Sequence, residues 1–182
     1  QTSTVTQTIN YQYSNGKQAA TPHTATITFS RTATRDNVTN QYTYGQWTSS
    51  TNEFPAVTSP TITGYTASVS VVPAVTDVEE GDTIAPTTVI YTPIQESVTV
   101  KYVDDTTGQL ITSVTLKGNY GSTSDYSTKS AISQLESKGY VLVKDGFPST
   151  GITFGKSAST YTVDFTEGVT DSTQTETVKQ TI

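Results

Sequence analysis

Sulfur is missing from this sequence, which has no cysteine and no methionine and only one histidine and one tryptophan in 182 residues. Without cysteine the chain has no disulfide, no thiolate nucleophile and no thiolate metal ligand. It also offers no sulfur atom to oxidise. This composition suits an exposed, extracellular location and excludes thiol chemistry.

Basic charge is also scarce, because 10 Lys and Arg residues face 16 Asp and Glu residues, for a net charge of −6. No basic stripe or polybasic segment is present, so nucleic acid and an anionic membrane surface are excluded as partners. The sequence shows no signal peptide and no transmembrane stretch. It starts at Gln1 rather than at a methionine, so we expect it to be a piece of a longer protein.

Serine and threonine make up about a third of the chain, whereas only 32% of the residues are hydrophobic. The apolar residues alternate with polar ones, as in strands with one buried face and one wet face. Threonine is β-branched and fits such a half-exposed strand. The composition therefore predicts a folded, mainly β protein of the α+β type.

Two halves of the sequence present similar landmarks in the same order. Each opens with an alternating strand and a Gly-containing hairpin turn. Each later has a Gly-Tyr pair that begins a strand, and each closes with a Thr-Val-x-aromatic-Thr strand. The paired landmarks are Val5–Tyr11 with Val98–Val103, Ser14–Lys17 with Asp104–Gly108, Gly64-Tyr65 with Gly139-Tyr140, and Thr88–Thr92 with Thr162–Thr166. We predict two tandem β-rich subdomains in an elongated arrangement.

A helix is predicted only in the second half, over residues 125–138. Ala131, Ile132 and Leu135 share one helical face there. Ser124 or Asp125 could cap the start, and Gly139 stands where a left-handed C-cap residue belongs. The resulting order, strand-strand-helix-strand-strand, is that of a ubiquitin-like β-grasp. The first half has no comparable helix, so we expect a modified relative with the helix shortened or absent.

These landmarks set the predicted boundaries. Residues 1–94 form an N-terminal β-rich subdomain and residues 95–170 form the β-grasp subdomain. Residues 171–182 form a linker and the start of a next copy, because Thr4–Ile9 recurs at Thr177–Ile182 with five of six residues identical. The repetition predicts a tandem array, in which neighbouring repeats multiply weak contacts.

The second half resembles the MucBP type of mucin-binding domain. The residues that carry this likeness are Val98–Asp104, Gly108 and Gly139-Tyr140. The whole chain resembles a Mub repeat of the mucus-binding surface proteins of lactic-acid bacteria. The further residues that carry this likeness are Thr43–Trp47, Pro55–Val57, Ser59-Pro60 and Gly64-Tyr65.

The resemblance implies a secreted, cell-wall-anchored bacterial adhesin whose repeats bind mucin glycoproteins and their glycans, with signal and anchor outside this stretch. Two alternatives stay open. One is an immunoglobulin-binding surface module, which fold analogy to other β-grasp domains suggests. The other is a structural spacer in a tandem stalk.

Residues that could carry catalysis or bind a metal are few. His23 follows Pro22 in a predicted loop, and one histidine does not make a triad. Glu79, Glu80 and Asp82 around Gly81 predict a flexible acidic turn rather than a carboxylate pair. Asp104-Asp105 could bind calcium but lack the spacing of an EF-hand loop. We therefore expect no enzyme activity and no cofactor other than calcium, for which Asp104 and Asp105, or the same acidic turn, are the candidates.

Aromatic residues offer the better candidate for ligand binding. Tyr42 and Tyr44 alternate onto one face of a predicted strand, and their rings could stack on sugars while their hydroxyls form hydrogen bonds. Trp47 is expected on the opposite face unless Gly45 forms a bulge. Burial in the core is the competing explanation for these rings. We select Tyr42, Tyr44 and Trp47 as candidate ligand-binding residues.

Overall fold

The computed structural model describes residues 1–169 and 174–182. Strands account for 48% of the chain and helix for 4%, which confirms the mainly β class with two tandem β-rich parts. Two compact units are present, unit 1 over Gln1–Ile94 and unit 2 over Gln95–Ile182. In the described part of the chain, no helix has the length and apolar character needed to cross a membrane.

Unit 1 contains eight strands. They are β1 (Thr2–Tyr13), β2 (Gln18–Ser30), β3 (Ala33–Arg35), β4 (Tyr42–Tyr44), β5 (Val57–Thr58), β6 (Tyr65–Ala67), β7 (Val71–Val72) and β8 (Thr87–Pro93). The main sheet has the order β2-β1-β8-β6, in which β1 is antiparallel to β2 and parallel to β8. The short strands form two further pairs, β3 with β4 and β5 with β7.

Buried and more exposed side chains alternate along β1, as the sequence predicts. Val5, Ile9 and Tyr11 are each at most 3% exposed. Val5 packs in one apolar cluster, and Ile9 and Tyr11 pack in a second one. Between them Gln7 occupies the same buried face of the strand and is 3% exposed. Burial of one sheet face therefore supplies the core of unit 1 despite the low hydrophobic content.

Unit 1 contains no helix, as expected for the modified subdomain. The chain between β4 and β6 contains Pro55 and Pro60, and proline interrupts a helix because it lacks the N–H donor and clashes with the preceding turn. Phe54 pairs instead with Val75 through two backbone hydrogen bonds of 2.9 Å.

In its described residues, unit 2 contains six strands and one helix. They are β9 (Gln95–Asp104), β10 (Leu110–Asn119), β11 (Thr123–Ser124), α1 (Lys129–Glu136), β12 (Tyr140–Asp145), β13 (Ile152–Thr153) and β14 (Thr160–Glu167). The main sheet has the order β10-β9-β14-β12, with the first and last long strands parallel at its centre. These are the connections that the β-grasp hypothesis requires, and the assignment to that fold stays a prediction.

The core of unit 2 lies between this sheet and α1. Val100, Tyr102, Val163 and Phe165 in the two central strands are fully buried. Leu135 of α1 is 4% exposed and belongs to the same cluster. Ala131 and Ile132 pack against that cluster at its edge, as do Tyr126, Tyr140 and Tyr161. The apolar helix face predicted from the sequence is confirmed.

The predicted start of the helix is wrong. Ser124 belongs to β11, and α1 begins only at Lys129, with Thr128 as the N-cap residue. Ser124 accepts a hydrogen bond from the backbone N–H of Tyr126 instead, at 3.2 Å, and so holds a turn before the helix. At the other end, Gly139 adopts the predicted left-handed backbone, with a φ of 96°, but the helix ends at Glu136 with Ser137 as the C-cap residue, earlier than predicted.

His23 lies in β2 opposite Ile9 rather than in a loop, and its side chain is partly buried. The loop prediction is wrong because β2 is an edge strand, where Pro22 needs no ladder partner for its missing N–H. Of the predicted linker over residues 171–182, positions 171–173 lie outside the described residues, and residues 174–182 have no regular secondary structure.

Candidate functional site

The β3–β4 hairpin, residues 33–44, positions the two tyrosines selected from the sequence. The Asp36 carboxylate accepts hydrogen bonds from the backbone N–H groups of Val38 and Thr39, at 2.8 and 3.2 Å. These bonds hold the pKa of Asp36 below its ordinary value. Arg35 donates a side-chain hydrogen bond to Asn40 across the same loop. The short hairpin is therefore fixed by its own side chains.

Tyr42 and Tyr44 point away from the core. They are 54% and 44% exposed, which is unusual for large aromatic side chains. Their rings are nearly parallel, at 11° to each other, with centroids 6.2 Å apart. Burial in the core, the competing explanation, does not account for the position of these two tyrosines, whereas Trp47 is partly buried and packs against the apolar cluster that contains Val5.

Arg31 joins Tyr44 to Trp47. The Cζ atom of Arg31 lies 4.3 Å from the centroid of the Tyr44 ring and 4.5 Å from that of Trp47. Both distances are within the range of cation–π attraction. The guanidinium is further held by Gln1, whose Oε1 accepts from Nε and Nη2 at 2.8 and 2.6 Å. We call Tyr42, Tyr44, Arg31 and Trp47 the aromatic–arginine row.

Trp47 lies on the same side of the hairpin as Tyr44, because one guanidinium contacts both rings. Strict alternation would have placed it on the opposite side. Tyr44 pairs with Ala33 and Thr48 pairs with Ser30, so three residues on one strand face two on the other. This extra residue is a bulge that reverses the alternation.

Gly45 permits the close approach of the chains at this bulge. Its N–H donates to the carbonyl of Thr32 at 3.0 Å. A Cβ atom built on Gly45 would lie 2.5 Å from the Thr32 hydroxyl oxygen, which any other residue would have to displace. The sequence indicated that Gly45 could form a bulge here, and the structure contains that bulge.

A surface cavity of about 330 Å³ adjoins the row at Trp47 and is also lined by Gln46, Glu79 and Glu80. Of the acidic turn identified in the sequence, Glu79 and Glu80 face this cavity. Asp82 instead accepts the backbone N–H of Glu79 at 2.8 Å and closes the turn at Gly81. The cavity thus has one aromatic wall and a rim of hydrogen-bond acceptors.

Asp104 and Asp105, the calcium candidates, lie at the β9–β10 turn. Asp104 is 7% exposed, and its carboxylate accepts from the Thr107 hydroxyl at 2.7 Å and the Thr106 N–H at 3.0 Å. The Thr107 hydroxyl above all holds the pKa of Asp104 below its ordinary value. Among the described residues, no group of three His, Cys, Asp or Glu side chains could hold a metal ion.

Arg31 is the member of the row that the sequence pattern alone did not indicate. The chain has only two arginines, Arg31 and Arg35, and both lie in or next to this hairpin. Arginine stacks on aromatic faces more readily than lysine does because its guanidinium is planar and weakly hydrated. That clustering among aromatic residues was the available signal. Together these features define a β-rich module with an exposed pair of aromatic rings.

Comparison with known proteins identifies the family. Residues 1–95 match the model of the Muc B2-like domain, and residues 96–167 match that of a mucin binding domain. The chain therefore belongs to the Muc B2-like family, and its second unit is a MucBP-type mucin-binding domain. No curated protein matches the chain.

Several solved structures are similar to parts of the chain. The MucBP domain of an adhesion protein from Pediococcus pentosaceus is 38% identical, over 50% of this chain and 97% of that domain, with a TM-score of 0.43. Mub-RV is 32% identical, over 52% of this chain and 54% of that one, with a TM-score of 0.48.

The type 2 repeat of the mucus binding protein MUB from Lactobacillus reuteri is 42% identical, over 51% of this chain and 50% of that one, with a TM-score of 0.40. The chain thus spans about half the length of the two Mub structures that it matches.

Proposed function

We propose that this chain is a non-catalytic repeat unit of an extracellular, cell-wall-anchored adhesin, and that it binds mucin glycans through the aromatic–arginine row. The family membership of both halves supports the class of ligand. The observation that carries the proposed site is the pair of exposed, parallel rings of Tyr42 and Tyr44.

The chemistry of the row suits a sugar ring. An exposed aromatic face packs against the apolar C–H face of a sugar, and a tyrosine hydroxyl adds a hydrogen bond. Arg31 fixes one end of the row, because its guanidinium contacts Tyr44 and Trp47 and is held in turn by Gln1. A fixed surface loses little side-chain entropy on binding. Each site is expected to be weak, since repeats in an array bind with avidity.

The test is surface-plasmon binding of the chain to immobilised mucin, with deglycosylated mucin and polyclonal immunoglobulin in parallel. We expect binding to mucin that is lost on deglycosylation. Aromatic contacts contribute about 0.5–1.5 kcal/mol each beyond burial, so replacing Tyr42 and Tyr44 together with alanine should weaken binding on the order of tenfold.

Thr43→Ala is the matched control, because Thr43 lies between the two tyrosines in β4 and is also exposed. It should bind as the unchanged chain does. Binding to immunoglobulin alone would replace the glycan proposal with the antibody-binding alternative. No binding to any of the three surfaces would leave the spacer.

A further inference from the structure

We propose that unit 2 carries a second saccharide site, a cavity of about 310 Å³ between the connection from β11 to α1 and the connection from β12 to β13. The inference rests on the proposed function for its ligand class, a neutral sugar ring. It assigns that ligand to a place separate from the aromatic–arginine row. We call this space the connection cavity.

The two walls of the connection cavity are tied together by Asp145. The Thr128 hydroxyl donates to one carboxylate oxygen of Asp145 at 2.6 Å, and the Phe147 N–H donates to the other at 2.9 Å. Thr128 and Phe147 are themselves buried, at 4% and 7% exposure. Asp145 is therefore a positioning residue, and the cavity is formed before any ligand arrives, as small-molecule sites usually are.

An aromatic wall borders the connection cavity. Tyr126 packs edge-on against Phe147, with ring centroids 5.6 Å apart. The Tyr126 hydroxyl lies 2.8 Å from the hydroxyl of the buried Tyr102. Because that bond anchors the far end of the side chain, the ring of Tyr126 is held in place for contact with the C–H groups of a sugar.

The rim supplies polar groups that the protein itself does not use. Asp125, Lys129, Ser149 and Thr150 line the cavity, all four are exposed, and none of their side chains forms a hydrogen bond within the described part of the chain. Asp125 only accepts hydrogen bonds, Lys129 only donates them, and the two hydroxyls do both.

This mixture selects the ligand class. Adjacent sugar hydroxyls can donate to Asp125 and accept from Lys129 at the same time, and bonds to charged groups are the stronger ones. The lining has two carboxylates, Asp125 and Asp145, and one ammonium group, Lys129, so an anion gains no net attraction from it. The volume lies at the lower end of the range for small-molecule sites, about 300–1,000 Å³, which fits a single ring with its substituents.

The test is a two-dimensional NMR titration of the whole chain with galactose and N-acetylgalactosamine, and with glycerol and inorganic phosphate as comparison ligands. We expect saturable shifts of the backbone amides of residues 125–129 and 147–151 with a sugar, with a Kd on the order of 1 mM or weaker. Equal shifts with glycerol would overturn the proposal, and so would saturation by phosphate alone.

Variants separate this site from the aromatic–arginine row. The double variant Asp125→Asn and Lys129→Gln should raise the Kd at the connection cavity at least about tenfold, with an otherwise unchanged spectrum. Lys156→Gln, another exposed lysine of unit 2, is the control and should leave the Kd unchanged.

The Tyr42→Ala and Tyr44→Ala variant should keep the shifts at the connection cavity. If that variant no longer binds mucin but its connection-cavity amides still shift with the sugar, the two sites are separate. Mucin binding with no saturable shift at residues 125–129 would overturn this inference and leave the proposed function standing.

Discussion

Replacing Tyr126 with phenylalanine should destabilise unit 2, because the change removes the hydrogen-bonding partner of the buried Tyr102 hydroxyl. Tyr102 is 0% exposed, and the partner of its hydroxyl is the Tyr126 hydroxyl at 2.8 Å. Burial and this hydrogen bond raise the pKa of Tyr102 well above its ordinary value. Loss of the partner leaves a buried hydroxyl unsatisfied, at a cost of about 1–3 kcal/mol.

The reverse change should cost less. Tyr102→Phe removes the buried hydroxyl itself, and the Tyr126 hydroxyl that remains belongs to a partly exposed residue at the connection cavity. We expect about 0.5–1.5 kcal/mol, the net value of an ordinary hydrogen bond. The double variant should be more stable than Tyr126→Phe alone, because it leaves no buried donor without a partner.

Hydrogen exchange of the β9 amides measures these differences within unit 2. Tyr126→Phe should speed exchange of the most protected amides by about 5- to 150-fold, which corresponds to 1–3 kcal/mol. Fluorescence of Trp47, the only tryptophan and a residue of unit 1, provides an internal control that should not change. The reasoning would be refuted if Tyr126→Phe and Tyr102→Phe lost equal stability and their losses added in the double variant.

Two further predictions concern unit 2. Gly118→Ala would place a Cβ atom 2.3 Å from a ring carbon of the buried Phe154, so urea denaturation followed by circular dichroism should show a loss of about 1–3 kcal/mol, while Lys117→Ala on the same strand should show none. Asp104 should stabilise its turn above pH 3.8, the ordinary pKa, and lose that contribution as pH falls through its lowered pKa. Asp104→Asn should remove this part of the acid dependence. If the variant and the unchanged chain lost stability in the same way between pH 5 and 2, the prediction would be wrong.

The strands and turns could be predicted from local patterns. The buried face of β1, the Gly-Tyr pairs that begin β6 and β12, and the left-handed Gly139 all follow from side-chain periodicity or from backbone preferences that one residue carries. The helix start could not be predicted in the same way. Serine at position 124 suits a helix cap and a turn equally well. Ser124 lies in a strand because it pairs with Ile152 of β13, which is distant in the sequence.

The candidate sites depended more on distant contacts. Tyr42 and Tyr44 could be selected from the sequence because their alternation on β4 is local. Their exposure and the role of Arg31 could not, because Arg31 and Tyr44 are 13 positions apart in the sequence and only the hairpin register brings them together. The connection cavity was missed altogether, since residues 125–129 and 145–151 come together only through the fold of unit 2.

By itself the sequence determined the mainly β class, the two tandem β-rich parts, the exclusion of thiol chemistry and the family. These properties depend on composition and short-range periodicity, which each segment carries alone. Only the tertiary structure decided which aromatic rings stay exposed, that Trp47 joins Tyr44 through Arg31, and that Asp145 closes a cavity against Thr128. Those outcomes require strand register and loop closure, which are set by the packing of residues far apart in the chain.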